Sequence, residues 1–132
     1  MQDMRYINLF SKTTGVSTRY CFKYNDFIIF VVPKSLVSKA IGENGNNIRR
    51  MSETLGKKIK VVAAPENQSG AGKFMEDLIS PVGFKNIEIS AREIVIIAGS
   101  QNKAALIGRN KRRLFEMQKI AKDFFGKELR IN

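Results

Sequence analysis

Apolar residues along the chain follow two rhythms, and the switches between them mark out the elements. Between Met4 and Lys12, Ile7 and Phe10 stand three apart, which predicts a short helix with one buried side, ended by Gly15. Thr18–Tyr24 alternates and is rich in β-branched and aromatic residues, so it reads as a strand, and Asn25-Asp26 turns the chain. Phe27–Val32 is unbroken apolar, as expected of a buried strand. Pro33 at a first helical position opens a helix over Lys34–Ile41, with Leu36, Val37, Ala40 and Ile41 on one face. Gly42–Gly45 interrupts it. Asn46–Leu55 then sets Ile48, Met51 and Leu55 on one side of a second helix. Gly56 caps that helix, and Lys58–Ala63 forms a third strand with Ile59 and Val61 facing together.

The same order recurs 66 residues later. Ile28–Val32 falls on Ile94–Ala98, Ala40-Ile41-Gly42 on Leu106-Ile107-Gly108, Ile48 on Leu114 and Met51 on Met117. The closing stretch Lys57–Val61 pairs with Lys127–Ile131 at a spacing of 70, so four residues, about one helical turn, are inserted before it. A one-turn insertion preserves the buried face. The second copy is expected to run as a helix over Lys73–Ile79, strands over Phe84–Ser90 and Glu93–Ala98, and a helix over Asn102–Ile107 capped by Ser100. A long helix to Phe125 follows, burying Leu114, Met117, Ala121 and Phe124, then Gly126 and a last strand to Ile131. Pro65–Gly72 is the linker-like stretch, giving a first domain over 1–64, a linker over 65–72 and a second domain over 73–132.

Charge narrows the partners. Lys and Arg number 23 against 12 acids, a net charge of +11, and both halves are basic. Such a field attracts polyanions, nucleic acid before anionic membrane. No apolar run reaches bilayer-spanning length, and no secretory leader is visible. The single Cys21 suits a reducing compartment, so a cytoplasmic location is expected, and the Asn67-Gln68-Ser69 glycosylation triplet then has no meaning.

The chemistry concentrates where the helices are interrupted. Glycine permits positive φ and removes the Cβ that holds a nucleotide away, while the next helix offers unpaired N–H groups to a phosphate. Gly42, Asn44, Gly45 and Asn46, with Arg49 and Arg50 on the following helix, form the first candidate RNA contact. Gly108, Arg109, Asn110, Lys111 and Arg112 form the second, with Arg113 adding charge. Each loop departs from an ideal clamp. Glu43 puts a carboxylate beside any phosphate and is expected to turn outward or cap the helix. Lys111 replaces the closing glycine, which trades close backbone approach for charge.

Ala40-Ile41-Gly42-Glu43-Asn44-Gly45-Asn46-Asn47-Ile48, followed by Leu55-Gly56-Lys57-Lys58-Ile59, resembles a KH domain. The tandem resembles the NusA family of transcription factors in its short archaeal form. The resemblance implies an α+β fold of two tandem type II KH domains, each a three-stranded mixed sheet packed on helices. It also implies binding of single-stranded RNA in transcription termination, antitermination or pausing, with the transcribing RNA polymerase a candidate partner. In that family the position of Glu43 is usually basic. The element order agrees with type II independently, since the extra helix and strand precede the core and no C-terminal extension is expected after Ile131. A monomer without cofactor or metal is expected.

Other chemistry is poorly served. There is no histidine to act as base or ligand, and a lone cysteine has no partner for nucleophilic work. Gly70-Ala71-Gly72-Lys73 lacks the flanking residues of a nucleotide loop, and Glu76-Asp77 reads as a solvated helix face. Tyr20, Phe22, Tyr24 and Phe27 are candidate base-stacking aromatics, though a small core explains them equally well, and Phe124-Phe125 reads as core. No enzyme is expected. Two further readings stand beside the RNA-binding transcription factor: a ribosome-associated or RNA-processing KH protein, and a protein-docking module with degenerate loops.

Overall fold

The computed structural model describes residues 4–67 and 70–132; Gln68 and Ser69, in the stretch expected to join the repeats, lie outside the described residues. Two compact units emerge, Met1–Ala64 and Pro65–Asn132. Each contains the same succession of helix, two strands, two helices and strand.

In the first unit, α1 (Met4–Thr14) buries Ile7 and Phe10, whose spacing of three sets them on one stripe. Strand β1 (Tyr20–Tyr24) starts two residues later than its alternation predicts. Asn25 and Asp26 both take positive φ, 52° and 64°, which matches the twist of a tight hairpin into β2 (Phe27–Val32). The centre of the sheet is β2, antiparallel to β1 and parallel to β3 (Lys58–Ala63), with Ile28 opposite Ile59 and Phe30 opposite Val61. Between β2 and β3 run α2 (Val37–Ile41) and α3 (Asn46–Leu55). The core lies between one sheet face and the helices: Phe10, Phe30, Ala40, Met51 and Ile59 meet there, with Phe10 stacked on Phe30 at 4.4 Å.

Pro33 departs from expectation. It sits at ψ 142°, outside the helix, and Lys34–Leu36 form a 3-10 turn before α2 begins. Only Ala40 of the expected apolar face is fully buried; Leu36 and Val37 pack on the core edge and Ile41 is half-exposed. A short five-residue helix buries one turn, and Ile41 at its end is left for a groove.

The second unit repeats the topology with β4 (Asn86–Ile89), β5 (Glu93–Ile97) and β6 (Glu128–Ile131), β5 central, Ile94 opposite Leu129. Its first helix, α4 (Ala71–Ile79), begins two residues earlier than expected because Ala71 is itself buried. The expected Ser100 cap is not formed: α5 (Lys103–Ile107) has Asn102 at its N-cap, without a side-chain cap hydrogen bond. After α6 (Arg112–Ile120) the inserted turn appears as a π-turn, Ala121–Phe125. It brings Phe124 and Phe125 onto the buried Phe74, with ring centroids 5.1 and 5.5 Å away. Lys127 is buried next to it, its ammonium donating to the carbonyls of Ser90 and Ala91 and so tying the start of β6 to the β4–β5 hairpin.

Candidate nucleic-acid interface

Both loops that interrupt the helices have one backbone conformation. Gly42 lies at φ 83°, ψ 166° and Gly108 at 78°, 171°. Asn44 and Asn110 follow at 56°, 26° and 57°, 27°, and Gly45 and Lys111 at 72°, 19° and 61°, 21°. The turn closes identically, Gly45 N–H donating to Gly42 O and Lys111 N–H to Gly108 O, each at 3.1 Å. Losing the closing glycine leaves the turn itself unchanged: Lys111 occupies the left-handed region that glycine would fill, a conformation costing a non-glycine residue about 1–2 kcal/mol.

The two glycine positions are unlike each other. A Cβ on Gly42 would lie 2.9 Å from the Asn47 side chain and 3.0 Å from its backbone nitrogen, and one on Gly108 would meet Arg113 Cγ at 2.8 Å. A Cβ on Gly45 would meet nothing within 4 Å. The leading glycine is therefore required by space as well as by φ, the closing one by φ alone. That difference is why a lysine is tolerated at 111.

Loop side chains are held by local bonds. Arg49 donates to Asn44 O at 2.9 Å and to Asn46 Oδ1 at 3.1 Å, which fixes its guanidinium against the turn while its outer edge stays exposed. Arg50, Arg109, Lys111 and Arg112 are exposed, and Arg112 reaches Glu116 at 4.0 Å. Of its two expected placements, outward or capping, Glu43 takes the first: it is exposed, the N-cap of α3 is Gly45 and no side-chain cap bond forms. It puts a carboxylate on the loop surface.

Beside the first loop opens a groove of about 490 Å³. Ile41 from α2, Ile48 from α3 and Ile59 from β3 line it, Gly45 and Arg49 stand at its loop end, and Phe27 with Lys58 stands at the strands. Lys58 Nζ lies 5.6 Å from the Phe27 ring centroid. A strip of apolar surface with Arg49 at its loop end and Glu53 among its lining suits unstacked bases whose phosphates follow the loop. The sequence does not single out Ile41 or Ile59 for this, since in the pattern they read as core. Among the four β-strand aromatics, Phe22 and Tyr24 are buried, Tyr20 is exposed and stacked on Phe22 at 6.3 Å, and Phe27 reaches the groove.

Gly70–Lys73 forms no phosphate cradle. Lys73 pairs with Asp77 at 3.0 Å across one turn of α4; the hydrogen bond to Asp77, then the charges of Asp77 and Glu76, raise its pKa.

Against known proteins, the family model of the KH domain matches residues 27–108. The chain belongs to the KH domain family. Its fold is α+β, two tandem KH units of the type II order, each a three-stranded mixed sheet packed on helices. KH units clamp single-stranded nucleic acid backbones with a glycine loop, and this chain is an RNA-binding protein of that family. It is 27% identical to "Probable transcription termination protein NusA" of Halococcus morrhuae over 92% of this chain and 88% of that protein. It is 23% identical to the protein of the same name from Methanocaldococcus jannaschii, over 92% of this chain and 67% of that one. Among solved structures, that of APE1850 aligns with a TM-score of 0.70 at 28% identity, covering 98% of this chain and 97% of that chain. The KH chain is thus NusA-like over nearly its whole length. Among the described residues, no helix is long and apolar enough to cross a membrane.

Proposed function

We propose that the chain binds single-stranded RNA along both loops and acts, as a NusA-like factor, in the termination or antitermination of transcription. The observation that carries the RNA reading is the shared backbone of the two loops: the same turn, built with different residues, delivers a helix N-terminus and a cluster of cations in each unit. In the first unit Gly42, Asn44, Gly45 and Asn46 carry the phosphate backbone, Arg49 and Arg50 supply charge, and the isoleucine groove receives bases. In the second, Gly108, Arg109, Asn110, Lys111 and Arg112 do the same with more charge and no acid in the turn. Affinity then comes chiefly from phosphates and falls with salt, by about 0.7 log unit per log unit of salt for each phosphate neutralised on a single strand. The transcription role rests on the similarity to the NusA proteins and makes the transcribing polymerase the partner to look for; the protein works as a monomer.

Fluorescence anisotropy with labelled single-stranded and duplex RNA of one length tests this. Single strands bind better, and Gly45→Asp and Lys111→Asp each weaken binding in a folded protein. Equal binding of duplex, or indifference to both substitutions, would sink the proposal. The transcription role has its own test: purified polymerase with added protein on a terminator template, where an unchanged read-through fraction removes it.

A further inference from the structure

Phe115 is the one large aromatic of the second unit that stands in the open among the described residues, 57% exposed on α6. An exposed phenylalanine forgoes the stabilisation that burial brings, so its surroundings matter. The repeat locates it. Asn47 and Arg113 make the same bond to the carbonyl eight residues back, and Met51 and Met117 are both buried in their cores. Between those fixed points, Phe115 occupies the helix position that Arg49 holds in the first unit, where Arg49 stands at the loop end of the groove. The helix position beside the loop is thus a cation in one unit and an aromatic ring in the other.

Cations flank Phe115 along the sequence, with Glu116, which pairs with Arg112 at 4.0 Å, the acid beside it. Arg112 precedes it by three residues on α6 and Lys119 follows it by four, so the three lie along one helix face, and Lys111 of the loop stands four before it. Arg112 and Lys111 are exposed. An apolar plane among cations favours a ligand with a flat face and a negative backbone, and disfavours an apolar protein surface that would have to desolvate those charges. We infer that Phe115 is a base-stacking platform: a nucleobase of single-stranded RNA lies on its ring while the adjoining phosphates meet Lys111 and Arg112. This rests on the RNA-binding reading and adds to it a specificity. Stacking strengthens with the size of the π-face, so the second unit prefers purines.

The test uses fluorescein-labelled single-stranded oligomers of adenylate and uridylate of equal length, with the wild type, Phe115→Leu and Phe115→Trp. Leucine keeps the apolar bulk and removes the ring. Adenylate affinity falls about tenfold in Phe115→Leu, within the range found when stacking aromatics are removed. The adenylate-over-uridylate preference shrinks, and the slope of affinity against salt stays the same because no cation is lost. The chain has no native tryptophan, so F115W carries a single indole that can be excited apart from the three tyrosines. It retains adenylate affinity, and its emission is quenched on binding an unlabelled adenylate oligomer. Wild-type binding of single strands with unchanged affinity in Phe115→Leu and no quenching in F115W overturns the platform while leaving the loops' role intact. If the wild type shows no single-strand binding at all, the RNA reading itself fails, and the platform with it.

Discussion

Asn47 Nδ2 donates to the carbonyl oxygen of Lys39 at 3.2 Å, reaching back across the loop to the last turn of α2. Arg113 Nη1 does the same to Ala105 O at 3.0 Å in the second unit. Two unlike side chains at one position thus make one strut between the helices that flank each loop, and the leading glycine packs directly beneath it. The strut holds the turn in shape with no ligand present, which lowers the ordering cost of binding. Asn47→Ala is expected to cost about 1 kcal/mol of stability in urea denaturation, the usual worth of such a bond. Asn47→Arg, borrowing the residue of the second unit, stays within about 0.5 kcal/mol of wild type. Equal losses in both variants would mean that the bond does not matter.

The two glycines of the first loop are expected to separate cleanly on substitution. Gly42→Ala meets both an unfavourable φ and the Asn47 side chain, and loses about 2–5 kcal/mol when strain and overpacking are combined. Gly45→Ala has open space and loses about 1–2 kcal/mol for φ alone. At Lys111 the reverse change relieves that strain but loosens the unfolded chain, so Lys111→Gly remains within about 1 kcal/mol of wild type. Chemical denaturation of the three variants decides it; similar losses at 42 and 45 would refute the steric distinction.

The central and closing strands of the first unit, the helix between them and the first glycine loop were the most legible parts of the sequence, for a physical reason. The run Phe27–Val32 and the stretches Asn46–Leu55 and Lys58–Ala63 appear with the expected bounds, because a continuous or strictly periodic apolar pattern leaves one way to bury it. The strand expected over Phe84–Ser90, by contrast, shortens to Asn86–Ile89. The inserted turn was visible as four extra residues, but its π form was not, since hydrogen-bond pattern leaves no trace in apolar spacing. Helix ends were legible, Gly56 and Gly126 both standing as left-handed C-caps, but one start was not: Ser100 is a good capping type, yet α5 starts after Asn102. At the candidate site, the glycine pair marked the first loop and the 66-residue repeat the second, while the left-handed backbone of Lys111 stayed hidden because lysine is not a residue type that marks positive φ. The strut was invisible for a related reason, as Asn47 and Arg113 share a position and a bond but no chemistry. The groove escaped notice because half-buried isoleucines such as Ile41 and Ile48 look the same in a pattern as a core one such as Ile59.

Lys127 is the buried cation of the second unit, and its two carbonyl partners, Ser90 and Ala91, sit in the turn between β4 and β5. Replacing it with methionine keeps most of the side-chain length and removes the donors. Hydrogen bonds to a charged group are worth about 1.5–3 kcal/mol each, part of which is offset because a buried ammonium is no longer desolvated. Lys127→Met is therefore expected to destabilise the second unit by about 1–3 kcal/mol. The hairpin amides around Ser90 lose protection in hydrogen exchange more than those of β2 in the first unit. Unchanged protection at the hairpin would show that the lysine is not what holds it.

Glu43 carries the sharpest contrast between the loops, since the position 66 residues later holds Arg109. Both side chains are exposed and neither caps its following helix, so each is free to act on whatever passes the loop. A unit charge about 4 Å from a phosphate in water is worth about 1 kcal/mol, so reversing the sign changes binding by up to about 2 kcal/mol. Glu43→Lys is accordingly expected to tighten single-stranded RNA binding about tenfold at low salt and to steepen the log–log salt slope by about 0.7, one further phosphate contact. Arg109→Glu moves both quantities in the opposite direction. Neither substitution removes a packing contact, so urea midpoints stay where they are. If Glu43→Lys leaves affinity and slope unchanged while Arg109→Glu weakens binding, the RNA runs past the second loop only, and the first unit serves another purpose.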